Sequence, residues 1–319
     1  MKILVISSVL KDKQKEMIKA VADKTGSEVR FLLSENEITE DLQDAEIVYG
    51  FGVNYARTNK NLKWLCVPSA GVDYLMSPDS FANRECLLTN SAGAYGVTIA
   101  EHIIAVSLMM MRNITDYYAD SLNGRWSTPK AQKSLKDCKI TVLGTGDIGT
   151  NFARRARAFE PSEIVGVCRS GKCTDPSYDR ILKVDDLDSV LPETELLVMS
   201  LPATKETANI LSKERLALLP EGAYVVNVGR GSAIDEEALA DSLDSGRLAG
   251  AALDVFKTEP LPQNSRLWST KNLLITPHVA GNLTLEHTLN KNVEMFCEDL
   301  INFTSGKELK YLVDRNIGY

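Results

Sequence analysis

Lys139-Ile140-Thr141-Val142-Leu143-Gly144-Thr145-Gly146-Asp147-Ile148-Gly149 is the stretch that decides the fold. A short apolar, β-branched run stops at Gly144, and glycines at 144, 146 and 149 precede the apolar positions Phe152, Ala153, Ala156 and Phe159. The pattern is strand, tight turn, helix. Gly144 permits the turn, Gly146 lets the backbone approach a pyrophosphate, and Gly149 lets helix and strand pack closely. Asp147 and Ile148 open the helix, whose free N–H groups and positive dipole end face the phosphates. Taken alone the motif also fits a plain glycine-rich turn, so its surroundings must decide.

Downstream, apolar runs at 163–167, 196–202, 223–228, 250–255 and 273–277 read as strands, with helical patterns late in 204–219 and at 235–246. A βαβ series whose first strand carries the glycine loop is a doubly wound dinucleotide domain. Upstream, strands at 2–9, 29–33, 46–51 and 62–67 alternate with a helix carrying Gln14, Met17, Ile18 and Val21 that ends near Gly26. None of these strands ends in a phosphate loop, so the chain opens with an α/β unit that is not the nucleotide binder. In the loop Pro68-Ser69-Ala70-Gly71-Val72-Asp73, Ala70 and Gly71 either offer backbone N–H groups to an anion or form an ordinary turn. A second small-residue loop, 89–96, leads into an almost wholly apolar helix at 97–110, a core or interdomain helix in which His102 packs or caps. Residues 112–137, with Tyr117, Tyr118 and Trp126, are a polar arm, either a surface excursion or a partner contact, and the aromatics favour contact. The amphipathic helix at 283–303 and the tail at 309–314 return to the first domain. The expected division is 1–97 with 284–319 against 98–283.

A chain of 319 residues exceeds a single core, and 44% hydrophobic with 25% charged residues is ordinary globular composition. A net charge of −7 disfavours nucleic-acid or anionic-membrane partners. No run of 18 apolar residues argues for a span, and Met1–Ile6 is too short for a signal peptide, so a cytoplasmic location with no membrane partner is expected. The six cysteines form no CxxC pair and read as reduced core thiols, while the three histidines form no HxxxH pair and no metal site is expected.

Three residues sit at strand ends or loops of the nucleotide domain: Arg230 in Asn227-Val228-Gly229-Arg230-Gly231, Glu259 in Asp254-Val255-Phe256-Lys257-Thr258-Glu259, and His278 in Thr276-Pro277-His278-Val279-Ala280-Gly281. Singly they read as a surface arginine, a loop glutamate and a capping histidine. Together they supply a guanidinium fork for a carboxylate, a titratable acid–base group and a carboxylate to partner it. With these motifs, the Ser69–Asp73 loop, the glycine loop and Leu201-Pro202-Ala203-Thr204-Lys205-Glu206-Thr207 in this order, nearly the whole chain resembles the D-isomer-specific 2-hydroxyacid dehydrogenase family, in particular its glyoxylate/hydroxypyruvate reductases. The resemblance implies an α/β fold of two doubly wound parallel-sheet domains, a Rossmann dinucleotide domain inserted into a flavodoxin-like substrate domain. It implies hydride transfer between NAD(P)H and a small 2-oxo acid, giving a D-2-hydroxy acid. By resemblance, Arg230 binds the substrate carboxylate and carbonyl oxygen, His278 protonates that oxygen, and Glu259 orients His278. Ala70 and Gly71 give N–H groups to the carboxylate, and Asp254 holds the nicotinamide carboxamide. Leu201, Pro202 and Thr207 flank the cofactor, with Thr98, Val228, His278 and Gly281 counted beside them. It also implies a homodimer built on the nucleotide domains. Within the family a 3-phosphoglycerate dehydrogenase is the alternative, and outside catalysis an NAD(H)-sensing corepressor.

One departure carries information. Where NAD-using relatives end a strand in an acidic residue for the ribose hydroxyls, this chain has Cys168, followed by Arg169-Ser170-Gly171-Lys172. Arg169 can fork onto a 2′-phosphate and Ser170 can donate to it, which points to NADP; a solvated loop with NAD in looser contact is the alternative. Phe51 and Tyr95 are expected on the substrate pocket wall, though either equally suits the core.

Overall fold

The computed structural model describes residues 1–315 and 318; residues 316, 317 and 319 of the segment assigned above to the first domain lie outside the described residues. The chain forms two compact units, Met1–Tyr95 with the chain from Asn282 onward, and Gly96–Gly281.

The first unit contains β1 (Lys2–Ile6), α1 (Asp12–Lys24), β2 (Glu28–Leu32), β3 (Ile47–Gly50), α2 (Val53–Thr58), β4 (Trp64–Cys66) and β5 (Leu87–Thr89). Its sheet runs β2-β1-β3-β4-β5, parallel throughout, which is the flavodoxin-like order. β1, β3 and β4 read as apolar runs because both faces are covered, whereas the edge strand β2 carries Glu28 and Arg30 and is partly exposed. Ile3, Val5, Ile47, Tyr49 and Trp64 fill one core, and Leu4, Ile6, Val48 and Leu65 the other. Leu87–Thr89 forms an edge strand, although the sequence reads Thr89 as the start of a loop, and Leu88 and Thr89 are buried beside β4.

The second unit contains α3 (Gly96–Met111), α4 (Ile114–Leu122), β6 (Lys139–Leu143), α5 (Asp147–Ala156), β7 (Glu163–Cys168), β8 (Arg180–Lys183), α6 (Leu187–Val190), β9 (Leu196–Met199), α7 (Lys213–Leu218), β10 (Tyr224–Asn227), α8 (Glu236–Asp244), β11 (Gly250–Leu253) and β12 (Leu273–Ile275). The order β12-β11-β10-β9-β6-β7-β8, all parallel, is a Rossmann sheet whose strand order reverses between β6 and β9. β8, α4 and the short α6 differ from the sequence reading. β8 is an edge strand whose charged ends hide it, and the polar arm carries α4, which begins at left-handed Asn113 (φ 54°).

After the second unit, α9 (Glu286–Thr304) packs on the first unit's sheet. Leu289, Val293, Phe296 and Leu300 make its buried stripe, and Phe296 stacks on Tyr49 at 4.6 Å and Trp64 at 5.3 Å. The tail then pairs with β5, Val313 N–H donating to Leu88 O at 2.9 Å. All six cysteines are free, and burial pushes the Cys66, Cys86, Cys138 and Cys297 thiols up to about 12. Cys168 and Cys173 are only half-buried, so the core reading holds for four of the six.

Candidate active site

At the end of β6 each glycine has a distinct physical reason. Gly144 has φ +104°, a conformation that side chains resist, and its carbonyl accepts the Ser200 hydroxyl at 3.1 Å. A Cβ on Gly149 would lie 1.9 Å from the Gly144 carbonyl oxygen, so α5 can approach β6 only without one. A Cβ on Gly146 would meet nothing within 4 Å. The loop therefore presents an open backbone face at the N-terminus of a ten-residue helix, a surface that fits a dinucleotide pyrophosphate. Ile148 is half-buried in the first turn of α5. The Asp147 carboxylate accepts from Asn151 Nδ2 at 2.9 Å and packs on Gly96, where a Cβ would sit 2.4 Å from it. It thus lies against the first turn of α3, in which Thr98 is buried.

The loops after β7 and β9 flank this one. The 169–172 turn is closed by Gly171 N–H donating to Cys168 O at 3.2 Å, and Ser170 Oγ accepts from Lys172 N–H at 3.2 Å. Its side chains are a guanidinium, a hydroxyl and an ammonium, with no carboxylate. Burial raises the Cys168 thiol, but hydrogen bonds with Thr145, Ser170 and the Lys172 and Gly171 backbone outweigh this and lower it overall. On the other side, Leu201 is buried, and Thr207 Oγ1 donates to Pro202 O at 2.7 Å and accepts from Thr204 N–H at 2.9 Å, closing the loop on itself. Glu206 is held low by its own backbone amide and by Thr204, with the Lys205 and Arg169 charges adding to the effect.

Arg230, Glu259 and His278 lie on loops fastened to one another. Buried Asn227 accepts from Gly229 N–H at 3.0 Å and donates to Arg230 O at 2.9 Å, fixing the loop that follows buried Val228. Gly231 abuts the next loop so closely that a Cβ would lie 1.9 Å from the Phe256 carbonyl carbon. That loop is held by Glu236, whose Oε1 accepts from Lys257 N–H at 2.7 Å and whose carboxyl burial pushes up. Glu259 Oε1 accepts from Phe256 N–H at 2.8 Å, and its Oε2 lies 2.7 Å from His278 Nδ1. Buried Asp254 fixes the backbone of the histidine turn. Its Oδ1 accepts from Thr276 Oγ1 at 2.6 Å and Val279 N–H at 2.9 Å, and its Oδ2 from Ala280 N–H at 3.0 Å. His278 adopts φ 53°, its N–H donating to Asp254 O at 2.9 Å, and Gly281 ends the unit. Thr276 Oγ1 also meets His102 Nε2 at 3.3 Å; burial lowers the His102 pKa, opposed by the Asp254 charge, which favours a neutral ring.

With Nδ1 on a carboxylate and the side chain half-exposed, the His278 ring keeps Nε2 for an incoming oxygen. An imidazole so held, beside a guanidinium loop, can deliver a proton and stabilise charge developing on oxygen. Asn227 and Glu236 escape the sequence reading. A polar residue closing the run Tyr224-Val225-Val226 was a signal for Asn227, whereas Glu236 is indistinguishable from the usual acidic first turn of a helix.

In the first unit, the Ala70 carbonyl accepts Asn90 Nδ2 at 2.8 Å and the Gly71 carbonyl accepts Ser69 Oγ at 2.9 Å, so the loop is braced from its carbonyl side. Tyr95, read as pocket wall or equally as core, is only 5% exposed and its hydroxyl donates to Pro68 O. It braces the loop from inside the core, because a phenol buried there needs an internal acceptor. Phe51 stands out from the surface, 48% exposed, between two glycines that cannot be replaced without collision.

The model of the D-isomer specific 2-hydroxyacid dehydrogenase NAD binding domain matches residues 104–280. Among curated proteins, the glyoxylate reductase of Thermofilum pendens is 30% identical over 262 residues, 81% of this chain and 76% of that one. A solved D-isomer specific 2-hydroxyacid dehydrogenase family protein from Aeromonas salmonicida superposes with a TM-score of 0.88 at 28% identity, covering 98% of this chain and 99% of that one. The NADPH-dependent glyoxylate/hydroxypyruvate reductase of Sinorhizobium meliloti, solved with NADP and sulfate, gives 0.81 at 25% identity over 100% and 99%. By its glycine loop, its fastened Arg230, Glu259 and His278 loops and these matches, the chain belongs to the D-isomer specific 2-hydroxyacid dehydrogenase family.

Proposed function

We propose that this protein reduces small 2-oxo acids to D-2-hydroxy acids with NADPH. The observation that carries the reading is the His278–Glu259 pair at 2.7 Å, on a turn held by three hydrogen bonds to the Asp254 carboxylate. When bound, the dinucleotide supplies the hydride. The open face at Gly146 and the α5 N-terminus receive its pyrophosphate, and Arg169 and Ser170 receive the 2′-phosphate. Leu201, Pro202, Thr207 and Val228 flank it, and Asp254 holds its carboxamide end while fixing the histidine turn. Arg230 binds the substrate carboxylate and carbonyl oxygen, Ala70 and Gly71 add N–H donors, and His278 Nε2 gives its proton to the oxygen while Glu259 holds Nδ1. The S. meliloti reductase, NADPH-dependent by name, supports the cofactor assignment.

The second unit also supports a homodimer. Ile114, Tyr118, Leu122 and Trp126 are each 48% or more exposed along α4 and the segment after it, an apolar surface that a second copy would cover. We place the enzyme in the cytoplasm. The test is NADPH and NADH oxidation with a 2-oxo acid as acceptor. A kcat/KM at least about ten-fold higher for NADPH, lost in Arg169→Ala, is the expected result. Preference for NADH overturns the cofactor assignment, and oxidation of neither overturns the reduction itself.

A further inference from the structure

The carboxyl end of β1 and the loops that follow β2, β3 and β4 line an open cleft of about 380 Å³ within the first unit. This size lies in the range of small-ligand sites. It lies where ligands bind in open α/β sheets, outside the carboxyl ends of strands. Ile6, Val9, Leu33, Phe51, Pro68 and Leu283 give it an apolar wall, and Pro68 leads directly into the Ser69–Gly71 loop. Leu33 is 62% and Phe51 48% exposed, large apolar side chains left in water on one rim. Backbone geometry holds Phe51 there. Gly50 has φ +130° and a Cβ on it would sit 2.1 Å from Ile6 O, while a Cβ on Gly52 would sit 2.6 Å from Val48 Cγ1.

Five polar residues, Ser7, Ser8, Ser34, Glu35 and Asn36, complete the lining, and two of them, Ser7 and Glu35, hold other groups of the chain. Ser7 Oγ accepts from Val9 N–H at 3.4 Å. Glu35 uses one oxygen on Tyr55 N–H and the other on Asn54 Nδ2, both at 2.9 Å, anchoring the start of α2. No Lys or Arg occurs among the described residues of the lining. A phosphate or second carboxylate on the substrate would find no countercharge and would face Glu35. Glyoxylate, with hydrogen in place of a side chain, would leave the apolar wall wet.

We propose that this cleft receives the side chain of the 2-oxo acid, and that the preferred substrates carry an uncharged apolar group of isobutyl or benzyl size. This rests on the reduction proposed above. The test is NADPH oxidation with glyoxylate, hydroxypyruvate, phosphohydroxypyruvate, 4-methyl-2-oxopentanoate and phenylpyruvate. Burial of several carbons predicts a kcat/KM for 4-methyl-2-oxopentanoate at least about ten-fold above that for glyoxylate. In Leu33→Asn, a change at an exposed site, that ratio should fall several-fold. As a check that needs no variant, 4-methylpentanoate should inhibit competitively at lower concentration than acetate. Higher kcat/KM for glyoxylate or the phosphorylated acid, or a ratio indifferent to Leu33→Asn, overturns the cleft assignment alone. No oxidation with any of the acids overturns the reduction with it.

Discussion

The loop that projects Phe51 at the end of β3 and the loops that carry Arg230, Glu259 and His278 at the ends of β10, β11 and β12 are built by different means. In the second unit, side-chain amides and carboxylates do the fastening: Asn227 holds the Arg230 loop, Glu236 the Lys257 peptide, Asp254 the 276–280 turn and Glu259 the imidazole. In the first unit, the projecting residue is framed by Gly50 and Gly52 and surrounded by Ile6, Val9 and Leu33. The difference follows from the task. Proton delivery requires atoms held in a fixed geometry by supporting hydrogen bonds, whereas selecting an apolar substituent requires shape and dry surface.

If the polar loops carry the chemistry, changes there should act on kcat, and the largest effect belongs to His278. His278→Ala should lower kcat about 10³-fold with NADPH affinity unchanged, by steady-state kinetics and fluorescence titration; near-normal turnover would remove it from the reaction. Arg230→Ala should raise KM for any 2-oxo acid by about 10- to 100-fold, as loss of a charge-assisted hydrogen bond implies. An unchanged KM would separate Arg230 from the substrate.

Smaller effects test the framework. Gly149→Ala should destabilise by about 1–3 kcal/mol, because its Cβ collides with the Gly144 carbonyl. Gly146→Ala, with open space around its Cβ, should leave Tm unchanged and weaken NADPH binding about ten-fold or more. Equal effects of the two in thermal melts would show that Gly146 is structural. Glu236→Ala should lower kcat about ten-fold with little change in KM, and Glu236→Gln, which keeps an acceptor for Lys257 N–H, should restore most of it.

The smallest effect is a pH dependence at His102. Burial holds its pKa below the ordinary 6.5, so as pH falls through that value the unfolded chain takes up a proton that the folded chain resists. Stability is therefore lost on acidification, and the loss in Tm between pH 7.5 and pH 5.5 should be smaller in His102→Gln than in the wild type. An equal loss would move the acid sensitivity elsewhere.

What the sequence disclosed follows from the same contrast. Gly144 and Gly149 are legible because each reports a local backbone requirement, Gly146 because it falls between them in the motif, and the apolar runs of β1, β3, β6 and β9 because both sheet faces are buried. Arg230, Glu259 and His278 stand out as motifs at strand ends. The edge strands β5 and β8 do not, since β5 runs straight into a small-residue loop and β8 has Arg180 and Lys183 at its two ends. Nor do the roles of Asn227 and Glu236, whose partners are backbone groups that only the tertiary fold brings within reach. Tyr95 reads equally as pocket wall or core, and burial with the Pro68 carbonyl as acceptor places it in the core.

The most direct test of the central claim is chiral analysis of the product formed from NADPH and a 2-oxo acid such as 4-methyl-2-oxopentanoate. One equivalent of D-2-hydroxy acid is expected for each NADPH oxidised. The L enantiomer, or NADPH oxidation with no hydroxy acid formed, would contradict it.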